Sequence, residues 1–309
     1  MWDDFNFSYN LPKTYRRKMR AFTLIELLVV IAIIALLLSI IIPSLNLAKR
    51  KAAAAICLSN AKNLSAAWYM YQEDNDGRLV NPNPTKVKID GSHDDPRFIG
   101  WVVDPIRPNG TMCNGGEGPN NPVTDDDEIR GIEKGALFDY LKSPDVYHCP
   151  ADNQRKSKID GSKIFRTYSC PRAIKRVTKF MNIKAPGMRF NFVEEAEGRN
   201  WNMGTWDFYN MAENGFWEWR DPIGFNHGDS GILGFCDGHA EVHKWQVSYT
   251  LDRVRFFFSN PSTLNYGSPG LNDDYPRLMA GAPPAESDPD IAYVATGWAD
   301  QSRPMSGGY

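Results

Sequence analysis

Three of the chain's five histidines fall close together: His227, His239 and His243, interleaved with Asp229, Asp237 and Glu241. Side chains alternate along an extended strand, so His239, Glu241 and His243 would share one face. Two imidazoles and a carboxylate on one face form a metal-site pattern, and His239 and His243 are its candidate ligands. A plainer reading is stronger. A tight turn accounts for Asp237, and alternating polar residues are what a half-solvated strand shows. A second carboxylate group, Asp125-Asp126-Asp127-Glu128, suits the oxygen-rich taste of calcium, with Asp125 and Asp127 as candidate ligands. EF-hand spacing is missing there, and charge runs are usually solvated loops. Calcium is therefore the one cofactor left open, and no metal is assigned. The chain carries no Gly-x-Ser-x-Gly, no phosphate loop and no Cys/His pair in a supporting context, so no catalytic residue is assigned and the protein reads as a non-enzyme. The five cysteines, Cys57, Cys113, Cys149, Cys170 and Cys236, include no CxxC, which argues against a zinc knuckle or a thioredoxin-like site. In an exported domain Cys149 and Cys170 are the candidate disulfide, and the odd total leaves at least one thiol over. A buried free cysteine is the alternative for each.

A further acid stands alone. From Phe22 to Ile42 the chain is apolar except for Glu26, near the start of the run. A carboxylate near the centre of a bilayer costs about 2.5–3.5 kcal/mol, less near an end, so its presence needs a reason. About 20 apolar residues span a bilayer as a helix. Lys13, Arg16, Arg17, Lys18 and Arg20 precede the run, which places the first residues in the cytoplasm and the rest outside. An ordinary cleaved signal fits worse, because its apolar segment is about 7–15 residues long with a small-residue site after it. Net charge is −2, so no broad basic surface suggests nucleic acid.

These residues need elements to hold them. Apolar residues make up 42% of the 309-residue chain, and the part beyond the membrane run is long enough for one sizeable core. After Pro43, residues Leu45, Ala48, Ala52, Ala55, Ile56, Leu58, Leu64, Ala67, Trp68 and Tyr71 recur at helical spacing. The helix should stop at Asp74-Asn75-Asp76-Gly77. One helix of about 50 residues, kinked at Pro43, would be about 75–80 Å long. Small residues at Ala52 to Ala55 should permit close approach by another element. Asn81 to Gly131 reads as long loops around one strand, Arg97 to Val103. Gly135 to Lys142 reads as a short helix, and Asp145–Cys149, Phe165–Cys170 and Met188–Glu194 as strands. Gly231–Cys236 and His239–Trp245, joined by Asp237-Gly238, predict a hairpin with a type I′ turn. Leu251–Phe258 is one more strand or helix, and 259–309 an irregular arm. Trp201, Trp206, Phe208, Tyr209, Phe216, Trp217 and Trp219 crowd one segment, either covering the sheet or presenting a glycan- or protein-binding surface.

Basic flank, small residue, Phe22-Thr-Leu-Ile-Glu26 and an apolar helix together resemble the type IV prepilins and the type II secretion pseudopilins. The resemblance implies cleavage by a prepilin peptidase between Ala21 and Phe22, N-methylation of Phe22, and pairing of Glu26 with the amino terminus of a neighbouring subunit, which sets register. That family usually has glycine where this chain has Ala21; alanine is small enough for processing. A kink near Pro43 is also common there. His227, nine residues and then Asp237-Gly238 match the H-X9-DG signature of a group of bacterial prepilin-like proteins, and Tyr147-His-Cys-Pro-Ala-Asp152 and Tyr168-Ser-Cys170 fit the same group. The implied plan is α+β and type IV pilin-like: a leader (1–21), a membrane-spanning or filament-core helix (22–42), its amphipathic continuation (43–76), an outward-facing domain with an antiparallel sheet (77–258) and the arm. The implied partners are the peptidase, other pilin-like subunits and an inner-membrane assembly platform, with the domain on the extracytoplasmic side. A membrane-tethered binding module and a metal-dependent surface enzyme are the alternatives.

Overall fold

The computed structural model describes residues 23–84, 99–113, 121–152, 164–196, 204–206, 208–211, 216–219 and 223–246. The leader with Ala21 and Phe22, Trp201, residues 251–258 and the arm from 259 lie outside them. Two compact units divide the chain, residues 1–48 and 49–309.

Helix α1 runs Leu24–Asp74, 51 residues. In the first unit its side chains are exposed throughout, and this stretch makes it long and apolar enough to cross a membrane. The helix continues through Pro43, whose ring nitrogen cannot donate to the carbonyl four residues back. It ends where the Asp-Asn-Asp-Gly run predicts, with Gly77 N–H donating to Gln72 O at 2.8 Å.

In the second unit Cys57, Ala61, Leu64, Trp68 and Gln72 are the buried stripe of α1. The expected stripe holds at Leu64, Ala67 and Trp68, which are buried, but its start is corrected, because Ile56 is 52% exposed and Ala52 and Ala55 face solvent. Close approach comes further along. A Cβ added to Gly234 would sit 2.3 Å from Ser65 Oγ, so the helix lies directly against the strand at Ser65.

The sheet has five strands in the order β3-β1-β2-β6-β7. They are β1 (Tyr168–Pro171), β2 (Phe190–Glu194), β3 (Thr205–Trp206), β6 (Ser230–Phe235) and β7 (Ala240–Lys244). All pairings are antiparallel except β1 with β3, which is parallel. Strands β4 (Phe208–Met211) and β5 (Phe216–Trp219) form a separate antiparallel ladder from the aromatic-rich segment. The architecture is thus α+β, a long amino-terminal helix and an antiparallel-dominated sheet, consistent with a pilin-like plan. Trp101 anchors the core: its ring stacks on Tyr147 at 5.8 Å and tilts against Phe192 at 5.0 Å, while its Nε1–H donates to Gly204 O.

Three expected elements differ. Among the described part of Arg97–Val103 there is no strand; residues 99–103 run irregularly with a bridge from Gly100 to Asn81. Asp145–Cys149 contains a 3-10 turn, Pro144–Tyr147, because Pro144 fixes φ at the first helical position. The loop expected up to Gly131 contains helix α2 (Asp125–Glu133), which is followed by the short α3 (Phe138–Leu141). The β6–β7 hairpin forms as predicted, but not through a type I′ turn. Gly238 alone takes positive φ, +92°, and its N–H donates to Phe235 O while Phe235 N–H donates to His239 O. That is a three-residue loop, a tight turn closed by a left-handed glycine.

Candidate functional site

The amino-terminal group is Thr23 and Glu26. Thr23 caps α1: Glu26 N–H donates to Thr23 Oγ1 at 3.2 Å, and Thr23 N–H donates back to Glu26 Oε2 at 2.9 Å. The Thr23 hydroxyl donates to the same carboxylate oxygen at 2.9 Å. This is a capping box, so the lone acid satisfies donors that the start of a helix leaves unpaired. The T-x-x-E spacing carries that signal in the sequence.

The second group was not legible as a motif. Cys57, Cys149, Glu194 and His227 each offer one ligand atom, and the four atoms lie within 4.8 Å of one another. His227 Nε2 sits 3.4 Å from Cys149 Sγ and 3.1 Å from Glu194 Oε1. All four side chains are buried; His227 is 3% exposed and Glu194 not at all.

Four separate segments deliver them. Cys57 lies on the buried stripe of α1, and its carbonyl accepts from the buried Tyr168 hydroxyl at 3.0 Å. One turn on, Asn60 Nδ2 donates to His148 O at 3.0 Å, which ties the helix to the loop carrying Cys149. The Cys149 N–H donates to Thr167 Oγ1 at 3.0 Å, whose hydroxyl donates to Asp152 Oδ2 at 3.2 Å. Glu194 ends β2, and its second oxygen, Oε2, accepts from Ile232 N–H on the neighbouring strand at 3.1 Å. His227 stands just before β6, its N–H donating to Ser230 O.

The electrostatics follow from burial and contact. The Cys57 and Cys149 sulfurs face each other within 4.8 Å. Contact with Cys149 holds Cys57 down at about 6, while the same contact and burial push Cys149 up. A backbone hydrogen bond from Ala151 acts on Cys149 in the opposite sense. Burial alone would lower His227, but hydrogen bonds to Cys57 and Glu194 outweigh it and carry the imidazole to about 10. Two sulfurs, a carboxyl group and an imidazole thus meet in a space closed to solvent. The other nitrogen, His227 Nδ1, has no hydrogen-bond partner among the described residues.

The other candidates are placed elsewhere. His239 lies on the turn, its Nδ1 2.5 Å from Asp237 Oδ1 and its ring stacked on Phe235 at 4.2 Å. His243 packs against Trp245 at 4.6 Å, with Nδ1 3.9 Å from Glu241 Oε1. Neither belongs to the ligand group that the described residues assemble. Asp125 to Glu128 form the first turn of α2 rather than a solvated loop. Asp127 closes a capping box with Thr124 and takes Arg107 Nη1 at 2.8 Å on one oxygen and Arg130 on the other. Burial works against its charge, but the Thr124 cap and Arg107 hold its carboxyl below the usual range. Glu128 is fully buried and accepts from the N–H groups of Phe165 and Arg166 at 3.0 and 3.1 Å. Cys149 and Cys170 do not pair: both are buried thiols, Cys149 facing Cys57 and Cys170 lying near Cys236. Trp206 is buried against Phe190 at 6.0 Å.

Residues 16–42 match the family model of the prokaryotic N-terminal methylation motif, the signature of type IV prepilin-like precursors. No curated protein and no solved structure matches the chain.

Proposed function

We propose that this protein is a structural subunit of a type II secretion pseudopilus or a related type IV filament, and that it works by assembly rather than catalysis. The observation carrying this reading is the methylation motif at residues 16–42, followed by a helix long and apolar enough to span a bilayer. In this reading prepilin peptidase cuts between Ala21 and Phe22 and methylates the new terminus. The chain crosses the inner membrane once, amino terminus inside, with the sheet domain on the extracytoplasmic side. It then leaves the bilayer, and the apolar helices of many copies bundle as the filament core. Glu26 pairs with the amino terminus of a neighbour, and because an unpaired charge in hydrocarbon is costly, the pair favours one axial register. An ATPase on the cytoplasmic platform drives the movement.

The test is mass spectrometry of the amino-terminal peptide after expression with and without a prepilin peptidase. The expected result is N-methyl-Phe22 only when the peptidase is present. An uncut chain in both samples would overturn processing at Ala21 and leave a membrane-tethered domain.

A further inference from the structure

We propose that Cys57, Cys149, Glu194 and His227 form a structural zinc(II) site that ties helix α1 to the sheet.

The geometry comes first. Zinc binds thiolate at about 2.3 Å and imidazole or carboxylate at about 2.0–2.2 Å, so a tetrahedron built on those bonds has edges of about 3.3–3.8 Å. Two edges, His227 Nε2 to Cys149 Sγ at 3.4 Å and to Glu194 Oε1 at 3.1 Å, lie close to that range, and every other pair falls within 4.8 Å. Four donors converge from four segments of chain, one each from a helix, a loop, a strand end and the approach to a strand.

Donor chemistry selects the ion. Two sulfurs and one imidazole exclude calcium and magnesium, which take oxygen. Two sulfurs, a nitrogen and an oxygen at tetrahedral spacing suit zinc. Burial makes the site closed, with four protein donors and no approach for substrate, which is the structural rather than the catalytic arrangement. The surroundings hold the ligands as outer-shell groups do: Ile232 N–H fixes the second Glu194 oxygen, and the Cys149 N–H is held by Thr167 Oγ1.

The rival use of the two sulfurs is a Cys57–Cys149 disulfide, and the experiment separates the two. The full-length protein is purified in detergent under reducing conditions from zinc-replete cells, and metal is counted by elemental mass spectrometry. One zinc per chain is expected, with loss of that zinc in Cys57→Ser and in His227→Ala. If those variants do not fold, two measurements keep the question decidable. Cobalt exchanged into the wild-type protein should show the thiolate-to-metal charge-transfer bands of a tetrahedral site. Glu194→Gln, which can keep the Ile232 hydrogen bond, should hold zinc more weakly than wild type. His239→Ala/His243→Ala should keep full zinc. Wild-type protein with free thiols and no zinc, a Cys57–Cys149 disulfide in peptide maps, or zinc retained in Cys57→Ser/Cys149→Ser would each overturn the site. None of these outcomes bears on peptidase processing.

Discussion

Gly234→Ala should destabilise the sheet domain through one identifiable contact. The new Cβ would meet Ser65 Oγ at 2.3 Å and Ala61 O and Asn191 Oδ1 at 3.2 Å each. An ordinary contact of this kind is longer by about 1 Å for the hydroxyl and by a few tenths for the other two. The hydroxyl cannot simply swing away, because it donates to Asn191 Oδ1 at 2.8 Å in a buried site. Overpacking of this sort costs about 1–3 kcal/mol, and breaking the Ser65–Asn191 bond about 1 kcal/mol more. Replacing glycine returns about 0.4–1 kcal/mol through the unfolded chain. The net loss is therefore about 1–4 kcal/mol.

Ser65→Ala alone should cost about 1–2 kcal/mol, because Asn191 loses its donor. In the double variant the worst overlap is gone, so Gly234→Ala should add little to Ser65→Ala, a coupling of about 2 kcal/mol. Urea unfolding of the full chain in detergent, followed by the fluorescence of the buried Trp68, Trp101, Trp206 and Trp245, reads all four corners of the cycle. A Gly234→Ala protein as stable as wild type, or strictly additive losses, would refute the direct helix-on-strand seam.

Glu26→Ala should leave cleavage largely intact but abolish incorporation into sheared filaments; normal incorporation would end the register argument. Thr23→Val removes the cap hydroxyl while keeping the carboxylate, and should loosen the first turn of α1 by about 1 kcal/mol, seen as faster amide exchange over the residues following Thr23. Asp127→Asn should cost about 2–4 kcal/mol, since it weakens a helix cap and both arginine pairings. The sign of the pH effect follows from the lowered carboxyl: its stabilisation is present above the unfolded value near 3.8 and is lost as pH falls through the lower folded value, so an acid titration of Asp127→Asn should be flatter than wild type there. Gly238→Val should cost about 1–2 kcal/mol by backbone strain alone, because φ is +92° and nothing lies within 4 Å of a Cβ there; an unchanged urea midpoint would contradict the turn geometry.

What could be read in advance was whatever sits in local spacing. The apolar run, the helix stop at Asp74-Asn75-Asp76-Gly77 and the β6–β7 alternation are local patterns, and the structure contains all three. The helix face was read correctly at Leu64, Ala67 and Trp68 but misjudged at its start, because apolarity does not fix register when every turn offers an alanine. Ile56 is more apolar than Cys57, yet Cys57 faces the core, where Tyr168 reaches its carbonyl. Asp125 to Glu128 looked like a solvated run on charge alone, although Thr124, three residues before Asp127, carries the capping spacing in the sequence. The buried Cys57–Cys149–Glu194–His227 group had no such signal: its members lie far apart in the chain, and no two of them share an element.

The interval between His227 and Asp237-Gly238 has a mechanical reason in this structure. Strand β6, Ser230–Phe235, fills most of the nine intervening residues, so His227 enters at one end of the strand and the hairpin turn leaves at the other. Inserting one residue into β6 would reverse the face of every side chain beyond it, because strand side chains alternate. With the turn held by Gly238, the slip would fall on Gly234 at the helix seam and on Ile232, whose N–H holds Glu194. Strand length therefore sets two things together: where α1 can press against the sheet, and whether His227 reaches the cysteine on that helix. A histidine and a turn that never touch are coupled through the rigid ladder between them.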